Sequence, residues 1–311
     1  MTRVALARPV RSSVLAGYCI LSAWCALAAT AHAQVGWAVY TMNADGSDVK
    51  RVYHDDNSSF GSPAWSHDGK RIAFDGGSNQ AGFRAAHVFI LTLGEEKPVD
   101  LGPGNTPSFS PDDQQIAFFV GERGRLGIKP GVWVMNADGK NREWISEGER
   151  PRWSADGDKL VFAGRFEGFA SLYVYDMISL ERTRILDRGY DEIIGAAFSP
   201  DGSRLVFVGY KGGSIFNNSP NGEVAVVDAK TGAKPEAVCP GRVGWHPDWS
   251  PKGNKLLFRI ASESGAEQLH VLDLDKEGQA TPLLNQFGRR NSDGVWSPDG
   301  KQIVFTSDRG G

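Results

Sequence analysis

Apolar positions in this chain come in short unbroken bursts and show no helical spacing. Ile72-Ala73-Phe74, Ile116-Ala117-Phe118, Leu160-Val161-Phe162, Leu205-Val206-Phe207, Leu256-Leu257-Phe258 and Ile303-Val304-Phe305 are such runs. Successive strand side chains point to opposite faces, so a continuous apolar run predicts a strand buried on both sides. Each run follows an aromatic residue and a polar turn. Trp65 to Phe74 reads WSHDGKRIAF, and Trp296 to Phe305 reads WSPDGKQIVF. Proline presets φ, aspartate bonds nearby backbone, and glycine accepts positive φ. Ser-Pro-Asp-Gly therefore predicts a tight turn between an aromatic-ended strand and the apolar one.

The unit occurs six times, with its serines at 66, 110, 154, 199, 250 and 297, in steps of 44, 44, 45, 51 and 47 residues. Most copies lead into a further strand, tight turn and strand, such as GVWVMNADGKNREWI over 131–145 and EVAVVDAKTGAKPEAV over 223–238. Four strands per repeat at this period predict an all-β fold, a six-bladed β-propeller of four-stranded blades. The repeats lie near 62–101, 107–145, 151–186, 196–238 and 247–284, and 294–311 holds only an inner pair of strands. The stretch 35–53 is a strand–turn–strand unit that lacks an inner pair. The two ends are expected to share the last blade, which would leave no exposed sheet edge.

The unit aromatic-Ser-Pro-Asp-Gly-x-x-Ile/Leu-x-Phe, followed by Met135-Asn136-Ala137-Asp138-Gly139 and its counterpart Met42-Asn43-Ala44-Asp45-Gly46, resembles the TolB-type propeller repeat, the WD40-like PD40 repeat of bacterial periplasmic proteins. The resemblance spans residues 34–311 and implies a periplasmic propeller used for binding. TolB proteins carry an α/β domain before the propeller. Here only Gln34 to Gly36 lie between a leader and the first strand, so that domain is expected to be absent.

Residues 1–33 read as a secretory signal peptide. Arg3, Arg8 and Arg11 precede an uncharged run from Val14 to Ala29, and Ala31-His32-Ala33 is a small-x-small cleavage signal. The run is short for a membrane anchor. Cleavage after Ala33 leaves 278 of the 311 residues, with 31 basic and 37 acidic side chains, a net charge of −6. This composition argues against a nucleic-acid or anionic-membrane partner. Only Cys239 remains of the cysteines, so no internal disulfide is expected, and Pro240 and Gly241 predict a turn around it.

Candidate chemistry falls on the long connections at one end of the propeller, where sequence length and content vary most. His54, His87 and His246 lie on or beside those connections and are the candidate metal ligands. They lack ligand spacing and belong to different repeats, so ordinary surface or capping histidines are the favoured reading. The position before each aromatic is Ala64, Ser108, Arg152, Ala197, Asp248 or Val295. Arg152 and Asp248 could grip a polar ligand near the channel. The favoured alternative pairs each with a loop charge such as Arg289 or Glu149.

Trp245, His246 and Arg289 complete a tentative ligand-binding set with Phe216, which lies in the insert KGGSIFNNSPNGE over 211–223. That insert is expected to expose both Ile215 and Phe216 as a contact loop. The Asn-Ala-Asp-Gly turns lack the downstream glutamate of a calcium loop. No nucleotide-, flavin- or protease-type motif occurs, and no cofactor is expected. The function expected is a non-catalytic scaffold binding a protein, peptide or glycan on the long-connection face. The alternative is a polysaccharide lyase or hydrolase using that same face.

Overall fold

Each Ser-x-Asp turn is locked by its own side chains. Ser66 Oγ donates to Asp68 Oδ1 at 2.6 Å and accepts the Arg71 N–H at 2.8 Å. The same pair recurs as Ser110–Asp112, Ser154–Asp156, Ser199–Asp201 and Ser297–Asp299, at 2.5 to 2.7 Å. In the fifth copy Lys252 replaces the aspartate, and Ser250 Oγ turns to Asn254 Oδ1 at 3.3 Å. These turns fix where each aromatic-ended strand stops and its apolar neighbour starts.

The computed structural model describes residues 36–79, 85–121, 127–217, 219–263, 265–276, 278–284 and 289–309. The leader read in residues 1–33 lies outside them. Among the described residues the chain forms six four-stranded antiparallel sheets. Their innermost strands are Ser58–Trp65, Asn105–Phe109, Glu149–Trp153, Glu192–Phe198, Val243–Trp249 and Asn291–Trp296. These strands touch in that order and the last returns to the first, so the sheets are the blades of a closed six-bladed propeller. Blades are numbered here from 1, which begins at Ser58, to 6, which begins at Asn291.

Blade 6 is built from both ends of the chain. Ala38–Asn43 pairs with Gln302–Ser307 in unbroken register, from Ala38↔Ser307 to Asn43↔Gln302. Lys50–Tyr53 forms its outer strand. Backbone hydrogen bonds and side-chain packing thus close the ring without a covalent link.

The core lies between blades. The six apolar triplets are each 1% exposed or less, as expected for strands covered on both faces. One cluster joins Val161, Leu172 and Ile185 of blade 3 to Ala196, Leu205 and Phe207 of blade 4. Burying one such phenylalanine contributes about 1.5–3 kcal/mol.

Cys239 does not sit in a turn as expected. It lies half-buried in the outer strand Glu236–Gly241, paired with Val224. An edge strand tolerates Pro240 because an outward N–H is not needed there. Burial pushes the Cys239 thiol up, away from the reactive thiolate.

Candidate functional site

Every innermost strand carries a bulge, seen as a break in register between Gly61 and Ala64 and at the five matching places. The residue three before each terminal aromatic sits at this bulge: Ser62, Thr106, Arg150, Gly195, His246 and Asp293. All but Gly195 are side-chain-bearing residues in the left-handed region, with φ from 24° at His246 to 57° at Arg150. Such strain costs on the order of 1–3 kcal/mol per residue and concentrates at functional sites. Gly195 makes room for His246, because a Cβ there would lie 3.0 Å from His246 Cδ2.

This ring, with Pro63, Pro107 and Pro151, narrows the channel to a space of about 10 Å³. The constriction separates two mouths. The mouth at the long connections is a cavity of about 440 Å³. Trp37, Phe60, Phe119, Phe216 and Trp245 wall it, and Asp75, Thr106, His246 and Asp293 lie at its floor. Phe216 and Trp245 meet edge to face, with ring centroids 5.8 Å apart. The Arg150 guanidinium lies 5.8 Å from the Trp245 centroid and 2.7 Å from Glu149 Oε2. Arg259 lies 5.9 Å from the same ring and is ion-paired with Glu267.

Asp75 is 2% exposed and receives the Thr106 N–H at 2.8 Å on Oδ2. Burial pushes its carboxyl up to about 7; the Asp293 charge adds to the rise and the Thr106 N–H opposes it. His246 Nδ1 lies 3.3 Å from Asp293 Oδ1. Burial holds the imidazole below its ordinary value, against the pull of Asp293. Burial also acts to raise Asp293, but the His246 contact and the Ser62 N–H outweigh it and leave the carboxyl below its usual range. The pair is therefore a neutral imidazole beside a carboxylate. A carboxylate only accepts, so Nδ1 holds the proton and Nε2 presents a lone pair. Asp75 Oδ1, Thr106 Oγ1 and His246 Nε2 are enclosed without a hydrogen-bond partner among the described residues.

The opposite mouth, of about 280 Å³, opens among the Ser-Pro-Asp-Gly turns. Arg152 and Asp248 lie there and not on the long-connection face, because the position before each aromatic is two residues nearer the turn than the bulge ring. Their partners also differ from expectation. Arg152 Nη2 faces Asp248 Oδ1 at 3.6 Å, an ion pair too long for a hydrogen bond, and Asp248 Oδ2 accepts the Trp296 N–H at 2.9 Å. Arg289 is exposed, away from the cavity lining, and its carbonyl accepts the Gln268 side chain at 2.6 Å.

Trp245, His246 and Phe216 do meet in the first mouth. Ile215 departs from expectation. It is 8% exposed and fills the space left by Gly244, where a Cβ would stand 2.2 Å from Ile215 Cδ1. The buried isoleucine anchors the insert and projects Phe216, which is 74% exposed. The three candidate metal histidines engage three different carboxylates: His54 with Asp56, His87 with Asp100 and His246 with Asp293. Among the described residues no group of three or more His, Cys, Asp or Glu side chains could hold a metal ion.

Sequence reading missed Ser62, Thr106 and Asp75 as site residues. A signal existed for each. Position minus three from the aromatic is polar in five of six repeats and precedes proline in four. Asp75 directly follows the apolar triplet of blade 1, where Ala163 and Val208 stand in blades 3 and 4. A carboxylate continuing an apolar strand is costly unless it serves a site.

The family model described as the TolB beta propeller domain matches residues 182–311. A solved structure reported as a TolB from Agrobacterium tumefaciens superposes with a TM-score of 0.70 at 20% identity, over 87% of this chain and 97% of that one. The propeller is similar to the TolB type in fold. Among curated TolB-type relatives, the Tol-Pal system protein TolB of Francisella tularensis subsp. mediasiatica is 22% identical over 74% of this chain and 52% of its own length. Dipeptidyl-peptidase 5 of Porphyromonas gingivalis is 25% identical over 286 residues, 86% of this chain and 40% of its own length. The chain thus spans about half or less of these two relatives, and the similarity to the TolB propeller reports fold, not activity.

Proposed function

We propose that this TolB-type propeller is an exported, periplasmic or secreted binding protein that takes its partner at the long-connection mouth. The basic, apolar and small-x-small order of residues 1–33 supports export with cleavage after Ala33. The observation that carries the binding reading is the aromatic cavity of about 440 Å³ set directly over a ring of strained, polar bulge residues. A concave, largely apolar wall with a few converging polar groups is the usual form of a ligand site. The His246–Asp293 pair at the cavity floor offers a bound partner the unpartnered Nε2 of an oriented imidazole.

The test is affinity capture from periplasmic extract with the wild type, a Phe216→Ala/Trp245→Ala variant and a Pro298→Ala variant at the opposite mouth. The double variant is expected to lose the captured species, and Pro298→Ala to keep it. Equal capture by all three overturns the reading. Turnover of an oligosaccharide that disappears with His246→Ala replaces it with an enzymatic one.

A further inference from the structure

Charge at the floor of the long-connection cavity does not balance. Three cations approach its wall, and each is ion-paired with its own carboxylate: Arg150 with Glu149, Arg259 with Glu267 and Arg290 with Asp308. His246 is neutral beside Asp293. Asp293 is a carboxylate, and Asp75, pushed up by burial, gives up its proton only near pH 7. The charges of Arg150 and Arg259 act on them, but neither guanidinium is ion-paired with either. Asp75 is almost fully enclosed, and a buried carboxylate without a counter-charge is disfavoured.

Hydrogen bonding is unbalanced in the same sense. Asp75 Oδ1 and the His246 Nε2 lone pair are acceptors, and Thr106 Oγ1 can accept. All three are unpartnered among the described residues and line the floor or its constriction. The missing complement is a group that only donates and carries positive charge. A primary ammonium has three donors and no acceptor. The walls agree, because Phe216, Trp245 and Phe119 offer an apolar surface to the stem of such a ligand.

We propose that the cavity recognises a primary amine joined to an apolar or ring-shaped body, its ammonium set between Asp75, Thr106 and the His246–Asp293 pair. This rests on the binding reading above and names the chemistry of its ligand. The polar groups lie at the floor and the aromatic rings above them, so the ammonium enters head first and the body stays against Phe216, Trp245 and Phe119.

The experiment titrates the purified full chain with phenethylamine, neutral 2-phenylethanol and anionic 3-phenylpropionate, followed by calorimetry and tryptophan fluorescence. Phenethylamine is expected to bind saturably, at least about tenfold tighter than either analogue, which is about 1.4 kcal/mol of discrimination. Asp75→Asn, close in shape, is expected to erase that preference without lowering the melting temperature. Glucosamine and Nα-acetyl-lysinamide, as competitors, separate an amino sugar from a basic side chain as the natural source. Equal or tighter binding of 3-phenylpropionate overturns the amine assignment and leaves the cavity a ligand site. No saturable phenethylamine binding, or a preference unchanged in Asp75→Asn, also overturns it. The capture experiment with the Phe216→Ala/Trp245→Ala variant is unaffected by these outcomes and tests the binding reading separately.

Discussion

Asp113 reaches into the neighbouring turn and accepts the backbone N–H groups of His67 at 2.7 Å and Asp68 at 2.9 Å. Elsewhere the turns stack differently. A Cβ on Gly157, Gly253 or Gly300 would lie 3.4–3.5 Å from Pro111, Pro200 or Pro251, the proline of the preceding turn. Between blades 1 and 2 both partners differ at once: His67 stands for the proline and Asp113 for the glycine. Asp113 adopts φ 59°, a conformation natural to the glycine it replaces.

The clasp predicts coupled energetics. Asp113→Ala removes two charge-assisted hydrogen bonds and keeps the backbone strain, and is expected to cost about 1.5–3 kcal/mol. Asp113→Gly is expected to cost less. His67→Pro alone loses an N–H donor, while His67→Pro with Asp113→Gly restores the proline–glycine stack. Urea unfolding of the four proteins should show the double variant more stable than the sum of the singles. Strict additivity would mean that the two positions do not act as one junction.

Asp75 predicts a pH dependence opposite to that of an ordinary surface carboxylate. Its carboxyl titrates at about 7 in the fold against roughly 3.9 in an unfolded chain. The native state keeps a proton that the unfolded chain releases, so this group lowers stability as pH rises from about 4 to 7, and the loss is complete above that. Burial drives the rise and the Asp293 charge adds to it, while the Thr106 N–H, the Ser62 hydroxyl and the Arg150 charge oppose it. The upper limit is on the order of 4 kcal/mol. Asp75→Asn should therefore gain on the wild type between pH 5 and pH 8 in urea midpoints. Parallel curves would show that the carboxyl titrates normally.

Asp201 predicts the usual acid sign. The Ser199 hydroxyl, with the backbone and side chain of Ser203, holds its carboxyl down at about 2. Its contribution is present above the unfolded value near 3.9 and is lost as pH falls through 2. The difference in melting temperature between wild type and Asp201→Asn should be constant from pH 7 to 5 and shrink from pH 4 to 2. A difference that grows on acidification would contradict the Ser199–Asp201 contact as its source.

The sequence was most legible where one physical rule repeats. The serine turn, the buried triplet and the shared sixth blade each follow from local chemistry copied along the chain, and Ala38–Asn43 pairs with Gln302–Ser307 as the leftover strands require. The site was less legible because it is assembled across blades. Asp75 and Thr106 are 31 residues apart and meet only when blade 1 packs on blade 2, and Ser62 and Asp293 are 231 apart and meet only on ring closure. Arg152 and Asp248 were legible as channel charges. Their facing the turn-side mouth depends on bulges that shift register, and hydrophobic alternation does not report these. Ile215 was misread because its socket is an absent side chain, Gly244.

Gly195 supplies the sharpest test of the bulge ring. Of the six equivalent positions it alone lacks a side chain, and its vacant Cβ place lies 3.0 Å from His246 Cδ2 and 3.5 Å from His246 Cα. Both contacts involve a residue held by packing and by Asp293, so Gly195→Ala cannot be relieved by a flexible side-chain tip. Overpacking of this kind costs about 1–3 kcal/mol. The ring is expected to tilt from Asp293, which leaves that buried carboxylate short of a donor and returns the imidazole to a mixture of tautomers. Nitrogen-15 NMR of the His246 imidazole should show loss of the single Nδ1–H form, alongside weaker phenethylamine binding. Gly278→Ala serves as control, since a Cβ there meets nothing within 4 Å. An unchanged His246 spectrum in Gly195→Ala would mean that the imidazole is positioned by Asp293 alone and that the glycine has no part in building the floor.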